Sequence, residues 1–111
     1  MDAEDEKLVT LARASRARAG GGAAEGAAIR DDMGRTYTAA TVALSSLSLS
    51  AVAGAVAAAV SSGVRRLEAA VVVTDAQSVD PADAAILAEL GVDAAIVADP
   101  SGAVREHGGA S

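Results

Sequence analysis

The 111-residue chain contains no cysteine, no tryptophan and no phenylalanine, and Tyr37 is its only aromatic residue. The absence of cysteine excludes disulfides, thiolate metal ligands and a cysteine nucleophile. The arginines form no continuous stripe and the formal net charge is -6, which argues against binding to nucleic acid phosphates. Alanine dominates the apolar residues, so each element buries little area and self-association is favoured over a lone monomer.

Charge is also missing from a long internal stretch, because no charged residue occurs between Arg35 and Arg65. The gap is long enough to span a bilayer. Ala, Ser, Thr and Gly dominate it, and we therefore interpret it as a buried strand and a buried helix, with no membrane span. The first residues after Met1 are mostly acidic, unlike a secretory signal, which predicts a cytoplasmic protein. The preference for Ala, Gly and Arg over Lys is typical of a G+C-rich bacterial genome.

Hydrophobic periodicity predicts an α/β protein with three helices and a mixed sheet of four to five strands. We expect one domain over residues 1–111, with flexible tails at 1–4 and 107–111, and a parallel part of the sheet covered on both faces. The predicted elements, in chain order, are a helix at 5–19, a hairpin of strands at 25–30 and 36–42, a helix at 48–63, a strand at 67–74, a helix from Asp80 or Asp83 to Leu90, a strand at 92–99 and an edge strand at 103–106.

The central helix, at residues 48–63, is the most distinctive predicted element because it has no charge at all. Residues 45–48 are expected to cap its start. Its predicted inward face consists of Leu49, Val52, Val56 and Val60. Since the remaining residues are also small or apolar, we expect this helix to be buried on several sides.

Several segments together resemble the cytidine deaminase family in collinear order over residues 8–106. The resemblance implies a three-layer α/β/α fold and homo-oligomerisation as a dimer or tetramer. The segments are GRTYTAATVA at 34–43, AVAAAVSSG at 55–63, AVVVTDAQ at 70–77, ILAELG at 86–91 and IVADPSGAVRE at 96–106.

The resemblance also implies a zinc site at the N-termini of two helices, with a glutamate that shuttles protons. Laid without gaps from Gly63 backward, the first ligand position falls on Ser50 and the glutamate position on Val52. A neutral hydroxyl is a poor zinc ligand and valine carries no proton.

The two other ligand positions fall on Asp80 and Asp83 or on Ala82 and Ala85, depending on where a gap of about two residues is placed. We interpret the two aspartates as helix caps beside Pro81 and not as metal ligands.

Further parts of the family's site are missing as well. Its sugar-binding N-V-E segment corresponds to Thr41, Val42 and Ala43, which offer neither amide nor carboxylate. His107 is the only imidazole, lies in a glycine-flanked tail and is expected to be solvated. The sequence thus predicts no catalytic residue, no metal site and no cofactor.

Three functional hypotheses follow. The first is a catalytically inactive relative of cytidine deaminase that acts as a homo-oligomeric structural or interaction protein, with another protein as a partner. The second is a nucleoside or nucleotide sensor that uses a remnant pocket of Tyr37, Thr41, Ser50 and Val52. The third is an active cytidine deaminase with an unorthodox site. None of the three involves nucleic acid or a membrane.

Overall fold

The protein forms a five-stranded sheet with helices on both faces, in a computed structural model that describes residues 1–20 and 24–106. A two-stranded sheet lies beside it. In chain order, the elements are α1 (Ala3–Arg18), β1 (Gly26–Asp31), β2 (Thr36–Ala40), β3 (Val42–Ala43), β4 (Ser48–Leu49), α2 (Ala51–Ser61), β5 (Leu67–Val73), α3 (Pro81–Glu89), β6 (Ile96–Ala98) and β7 (Val104–Glu106).

The main sheet is mixed, with the strand order β2-β1-β5-β6-β7. Strands β5 and β6 are parallel, and the chain passes from one to the other through α3. The other neighbouring pairs are antiparallel. This arrangement confirms the predicted mixed sheet. A helical crossover joins the parallel strands and a hairpin joins β1 to β2, which are the connections that the two pairing directions require.

Two apolar clusters fill the two faces of the sheet, because alternate residues of β1 and β5 point in opposite directions. Ala28, Val71 and Val73 pack with α1 on one face. Ala27 and Val72 pack with α2 and Leu87 of α3 on the other. Three layers result, and the prediction of an α/β/α fold with a covered parallel pair is confirmed.

Helix α1 begins earlier than predicted, at Ala3. Asp2 is its N-cap, and the Asp2 side chain accepts a hydrogen bond from Asp5 N at 2.8 Å. The expectation of a flexible tail at 1–4 is therefore wrong for Ala3 and Glu4, which lie in the helix. The expected tail at 107–111 falls outside the described residues.

The predicted hairpin is confirmed, with Ala27 opposite Ala39 and Ile29 opposite Tyr37. Its second strand is shorter than expected, because β2 ends at Ala40 and Val42 pairs instead with Leu49 in the small β3–β4 sheet. This pairing also corrects the predicted start of α2. Ser48 lies in β4, and the N-cap is Ser50.

The inward face of α2 differs from the prediction. Val52 and Val56 are buried, as expected, but Ala51, Ala55 and Ala59 complete the buried face and Val60 is 49% exposed. A helix that is apolar on every side gives no contrast from which to choose a face.

The last two strands follow the predicted order, although β6 covers only Ile96–Ala98 of the predicted 92–99. Val92 N donates a hydrogen bond to Leu87 O at 2.9 Å, so the chain just before β6 still completes the end of α3. Strand β7 is the predicted edge strand. Within the described ranges, no helix combines the length and the hydropathy that crossing a membrane requires.

Candidate functional site

The candidate site lies where the N-termini of α2 and α3 meet. Ser50 precedes the first turn of α2, and its Oγ accepts a hydrogen bond from Ala53 N at 3.0 Å. Serine is a preferred N-cap because its oxygen satisfies an amide that has no partner within the helix. The Ser50 side chain therefore holds the start of α2 in place.

The same hydroxyl also joins α2 to α3. Ser50 Oγ donates a hydrogen bond to Asp83 Oδ1 at 2.6 Å. Asp83 lies in the first turn of α3 and is 6% exposed. A carboxylate can be buried here because it accepts a hydrogen bond and lies at the positive, N-terminal end of its helix.

The neighbouring Asp80 has a different role. It is exposed, and its Oδ1 accepts a hydrogen bond from Ala82 N at 2.9 Å as the N-cap of α3. Capping by Asp80 beside Pro81 was predicted and is confirmed. For Asp83 the cap interpretation is wrong, because its carboxylate contacts Ser50 across the two helices.

Val52 lies in the first turn of α2, only two residues from Ser50. Its side chain is 0% exposed and belongs to the apolar cluster beneath α2 and α3. Hydrocarbon thus fills the position at which the resemblance places a proton-shuttling glutamate. The buried valine contributes packing and offers no group that could transfer a proton.

Thr41 and Tyr37 come from the strand side. Thr41 Oγ1 accepts a hydrogen bond from Glu25 N at 2.9 Å, and Thr41 N donates to Glu25 O at 3.1 Å. Tyr37 is half-buried and packs against the same apolar cluster as Val52. Of the four residues predicted to line a remnant pocket, Val52 and Tyr37 thus share this cluster, while the hydroxyls of Ser50 and Thr41 are bound to different partners.

Sequence reasoning missed the role of Glu25. This residue connects the start of β1 with the ends of β2 and β5, which are neighbouring strands in the sheet. Besides its backbone bonds to Thr41, its Oε2 accepts a hydrogen bond from Thr74 Oγ1 at 2.7 Å. Thr74 follows β5 directly and is 3% exposed. The only signal in the sequence was a carboxylate directly before an apolar strand, which by itself does not identify a partner.

The zinc ion that the resemblance implies does not fit these donors. The described parts of the chain contain no group of three His, Cys, Asp or Glu side chains close enough together to hold a metal ion. Ser50 and Asp83 are bound to each other, and Asp80 is occupied as a cap. Structural and catalytic zinc sites use thiolate, imidazole or clustered carboxylate ligands. His107 lies outside the described residues.

The family of the chain follows from its match to known sequences. A family model described as cytidine deaminase-like matches residues 1–102. The chain belongs to the cytidine deaminase-like family. No curated protein sequence matches it.

Solved structures show the same fold. The chain is similar to a cytidine deaminase from Burkholderia pseudomallei, with 23% identity and a TM-score of 0.75 over 95% of this chain and 91% of the other. A cytidine deaminase from Mycobacterium leprae matches with 23% identity and a TM-score of 0.70 over 93% and 92% of the two chains. The enzyme from Mycobacterium tuberculosis matches with 27% identity and a TM-score of 0.69 over 94% and 90%.

Proposed function

We propose that this cytidine deaminase-like chain is catalytically inactive and acts as a homo-oligomeric structural or interaction protein in the bacterial cytoplasm. The observation that carries the proposal is the 2.6 Å hydrogen bond from Ser50 Oγ to Asp83 Oδ1 between two helix N-termini. It connects the two helix starts at which the resemblance places zinc ligands.

The chemistry of the site supports inactivity. Deamination of a nucleobase by this class of protein needs an activated water and a carboxylate that moves the proton. Ser50 Oγ already donates to Asp83 and accepts from Ala53 N, so it has little capacity left to bind anything else. Val52 supplies hydrocarbon in place of the carboxylate.

The sensor hypothesis has weaker support. A pocket that recognises a nucleoside needs polar groups free to contact the ligand. The hydroxyls of Ser50 and Thr41 are instead engaged by Asp83 and by Glu25. Binding would require these contacts to break, which lowers the affinity of the site by the free energy of the lost bonds.

An ammonia-release assay with cytidine tests the proposal directly. Untagged protein is assayed with added zinc, with a chelator and without protein, beside an active cytidine deaminase as the positive control. We expect no ammonia above the protein-free rate under either condition. Cytidine-dependent release that the chelator abolishes would overturn the proposal.

Thermal unfolding against a panel of nucleosides, nucleotides and free bases separates the inactive protein from the sensor. A ligand that binds only the folded state raises its stability. We expect no shift at millimolar ligand. A saturable rise with one class of ligand would favour the sensor instead.

A further inference from the structure

A groove of about 260 Å³ lies between the second half of α2 and the end of α3. Its apolar lining is entirely aliphatic and consists of Val56, Val60, Val64, Ile86 and Leu90. Val56 is nearly buried, Val60 is 49% exposed, and the other three are half-buried. The groove therefore continues the apolar core outward and presents aliphatic side chains to its occupant.

Two exposed charges of opposite sign, on Arg65 and Glu89, complete the lining of the groove. Neither forms an ion pair with any residue in the described ranges. A ligand with a single charge would be attracted by one of these side chains and repelled by the other. A ligand with both charges can use both, because a guanidinium binds a carboxylate and a carboxylate binds an ammonium group through charge-assisted hydrogen bonds. The charges at the groove therefore favour a zwitterion.

The size of the groove narrows the class of zwitterion. Pockets for drug-sized ligands usually measure about 300–1,000 Å³, and this groove is smaller. A matching ligand is small, has an aliphatic part that the apolar lining can bury, and carries its two opposite charges close together. A free branched-chain α-amino acid has all three properties, because its carboxylate and its ammonium group are bonded to the same carbon.

The groove is separate from the site at the helix N-termini. Ser50 precedes the first turn of α2 and Asp83 lies in the first turn of α3, whereas Val60 and Glu89 lie in the last turns of the same helices. Since an α-helix rises about 1.5 Å per residue, Ser50 and Val60 are about 15 Å apart along α2. A ligand in the groove therefore does not depend on the contact between Ser50 and Asp83.

We propose that the α2–α3 groove binds a free branched-chain amino acid such as leucine. The aliphatic side chain of the ligand lies against Val60 and Ile86, its carboxylate binds Arg65, and its ammonium group binds Glu89. The inference goes beyond the proposed function, because it assigns a ligand to a surface that the deaminase-like site does not use. It holds whether or not that site is active.

Titration of the full chain with L-leucine, followed through ¹H–¹⁵N chemical shifts, tests the site. Each amide reports on its own surroundings, so the shifts also locate the ligand. A small ligand held by two ionic contacts and little apolar area binds weakly, and we expect saturable shifts with a Kd on the order of 1 mM. The shifts should be confined to the second half of α2, residues 64–66 and the end of α3.

Leucine analogues separate the three contacts. Leucinamide lacks the carboxylate and 4-methylpentanoate lacks the amine, so each should bind with a Kd about tenfold higher than that of leucine. Glycine keeps both charges but has no aliphatic side chain to bury, and we expect no saturable shift with it. Leucinamide or 4-methylpentanoate that binds as tightly as leucine would overturn recognition of a zwitterion.

Variants at the groove test the same contacts from the protein side. R65Q and E89Q each remove one charge at an exposed position and should raise the Kd for leucine about tenfold. The matched controls are R35Q at the β1–β2 turn and E6Q in α1, which are exposed and lie outside the groove lining. Both controls should leave the Kd unchanged, and circular dichroism verifies that each variant is folded.

Three results would overturn the inference. The first is the absence of any saturable shift at leucine concentrations far above the expected Kd. The second is saturable binding that R65Q and E89Q leave unchanged, because the ligand then lies elsewhere. The third is a change in sedimentation coefficient with R65Q or E89Q while leucine shifts no amide, which would make the groove a contact between protein chains. None of these results affects the ammonia-release test of the proposed function.

Discussion

At the scale of single residues, Ser50 links secondary structure to the site. Its hydroxyl oxygen accepts a hydrogen bond from Ala53 N within α2, and the same hydroxyl donates a hydrogen bond to Asp83 Oδ1 in α3. One side chain therefore caps a helix and partners a buried carboxylate. Both contacts are lost when the hydroxyl is removed.

The Ser50→Ala substitution should destabilise the protein by about 2 kcal/mol, because a cap is lost and a buried carboxylate loses its donor. Urea unfolding monitored by circular dichroism measures the change. Ser62→Ala is the matched control: its exposed hydroxyl donates to Ala58 O, and we expect a loss within about 0.5 kcal/mol. Equal losses for the two variants would show that the contact with Asp83 contributes nothing.

Arg30 forms a second polar contact, which is partly buried and lies at the C-terminal end of β1. It bonds Glu68 at 2.7 Å and Asp5 at 3.1 Å, and its side chain is 10% exposed. The hydrogen bond to Glu68 is the largest cause of a raised Arg30 pKa, against the opposing effect of burial. Since the pKa of Arg30 is raised in the folded state, the contribution of its charge to stability is present near neutral pH and is lost only in strong alkali, as the pH rises through that raised pKa.

Replacing Arg30 with methionine should cost about 2 kcal/mol near neutral pH, between the values for exposed and for buried ion pairs. The control is Lys7→Met, because the Lys7–Glu4 pair is exposed on both sides and should contribute within about 0.5 kcal/mol. Chemical denaturation at constant pH gives both values. An Arg30→Met loss as small as that of the control would contradict a structural role for this arginine.

At the scale of elements, the sequence predicted best those that are bounded by turn or capping residues. The hairpin, β5 and α3 lie close to their predicted positions because turn residues and capping residues mark their ends. The inward face of α2 was not predictable in the same way, since its eleven residues include no charge. The two-residue strands β3 and β4 were missed because so short a pairing leaves no periodic signal.

The contact between α1 and β1 depends on a glycine. A Cβ on Gly26 would overlap the backbone carbonyl of Ala12 and lie 2.8 Å from Arg16 N. Since backbone atoms of a helix cannot move aside locally, Gly26→Ala should destabilise the fold by about 3 kcal/mol. Thermal and urea unfolding measure the loss.

Gly54→Ala in α2 is the comparison variant for Gly26→Ala. Its Cβ would lie 3.1 Å from the side chain of Ala39, a tight but smaller conflict. Alanine also gains about 1 kcal/mol of helix propensity over glycine, which offsets the strain. A Gly26→Ala loss no larger than that of Gly54→Ala would mean that α1 does not pack on β1 at this distance.

At the scale of the whole molecule, the positions of Ser50 and Val52 could be assigned from the order of segments along the chain. The bond between Ser50 and Asp83 could not, because it joins residues 33 positions apart and depends on how two helix ends meet. Sequence alone could show which groups are missing from a zinc site. Only the structure shows that a hydroxyl and a carboxylate connect the two helix starts instead.

The zinc content of untagged protein, purified after growth with added zinc and then dialysed, tests the central claim most directly. At the two helix starts Ser50 and Asp83 are bound to each other, and no thiolate or imidazole is present there among the described residues. We therefore predict a zinc content far below one atom per chain. Zinc that stays bound at one atom per chain, and that is lost in Ser50→Ala or Asp83→Ala protein, would contradict this account of the site.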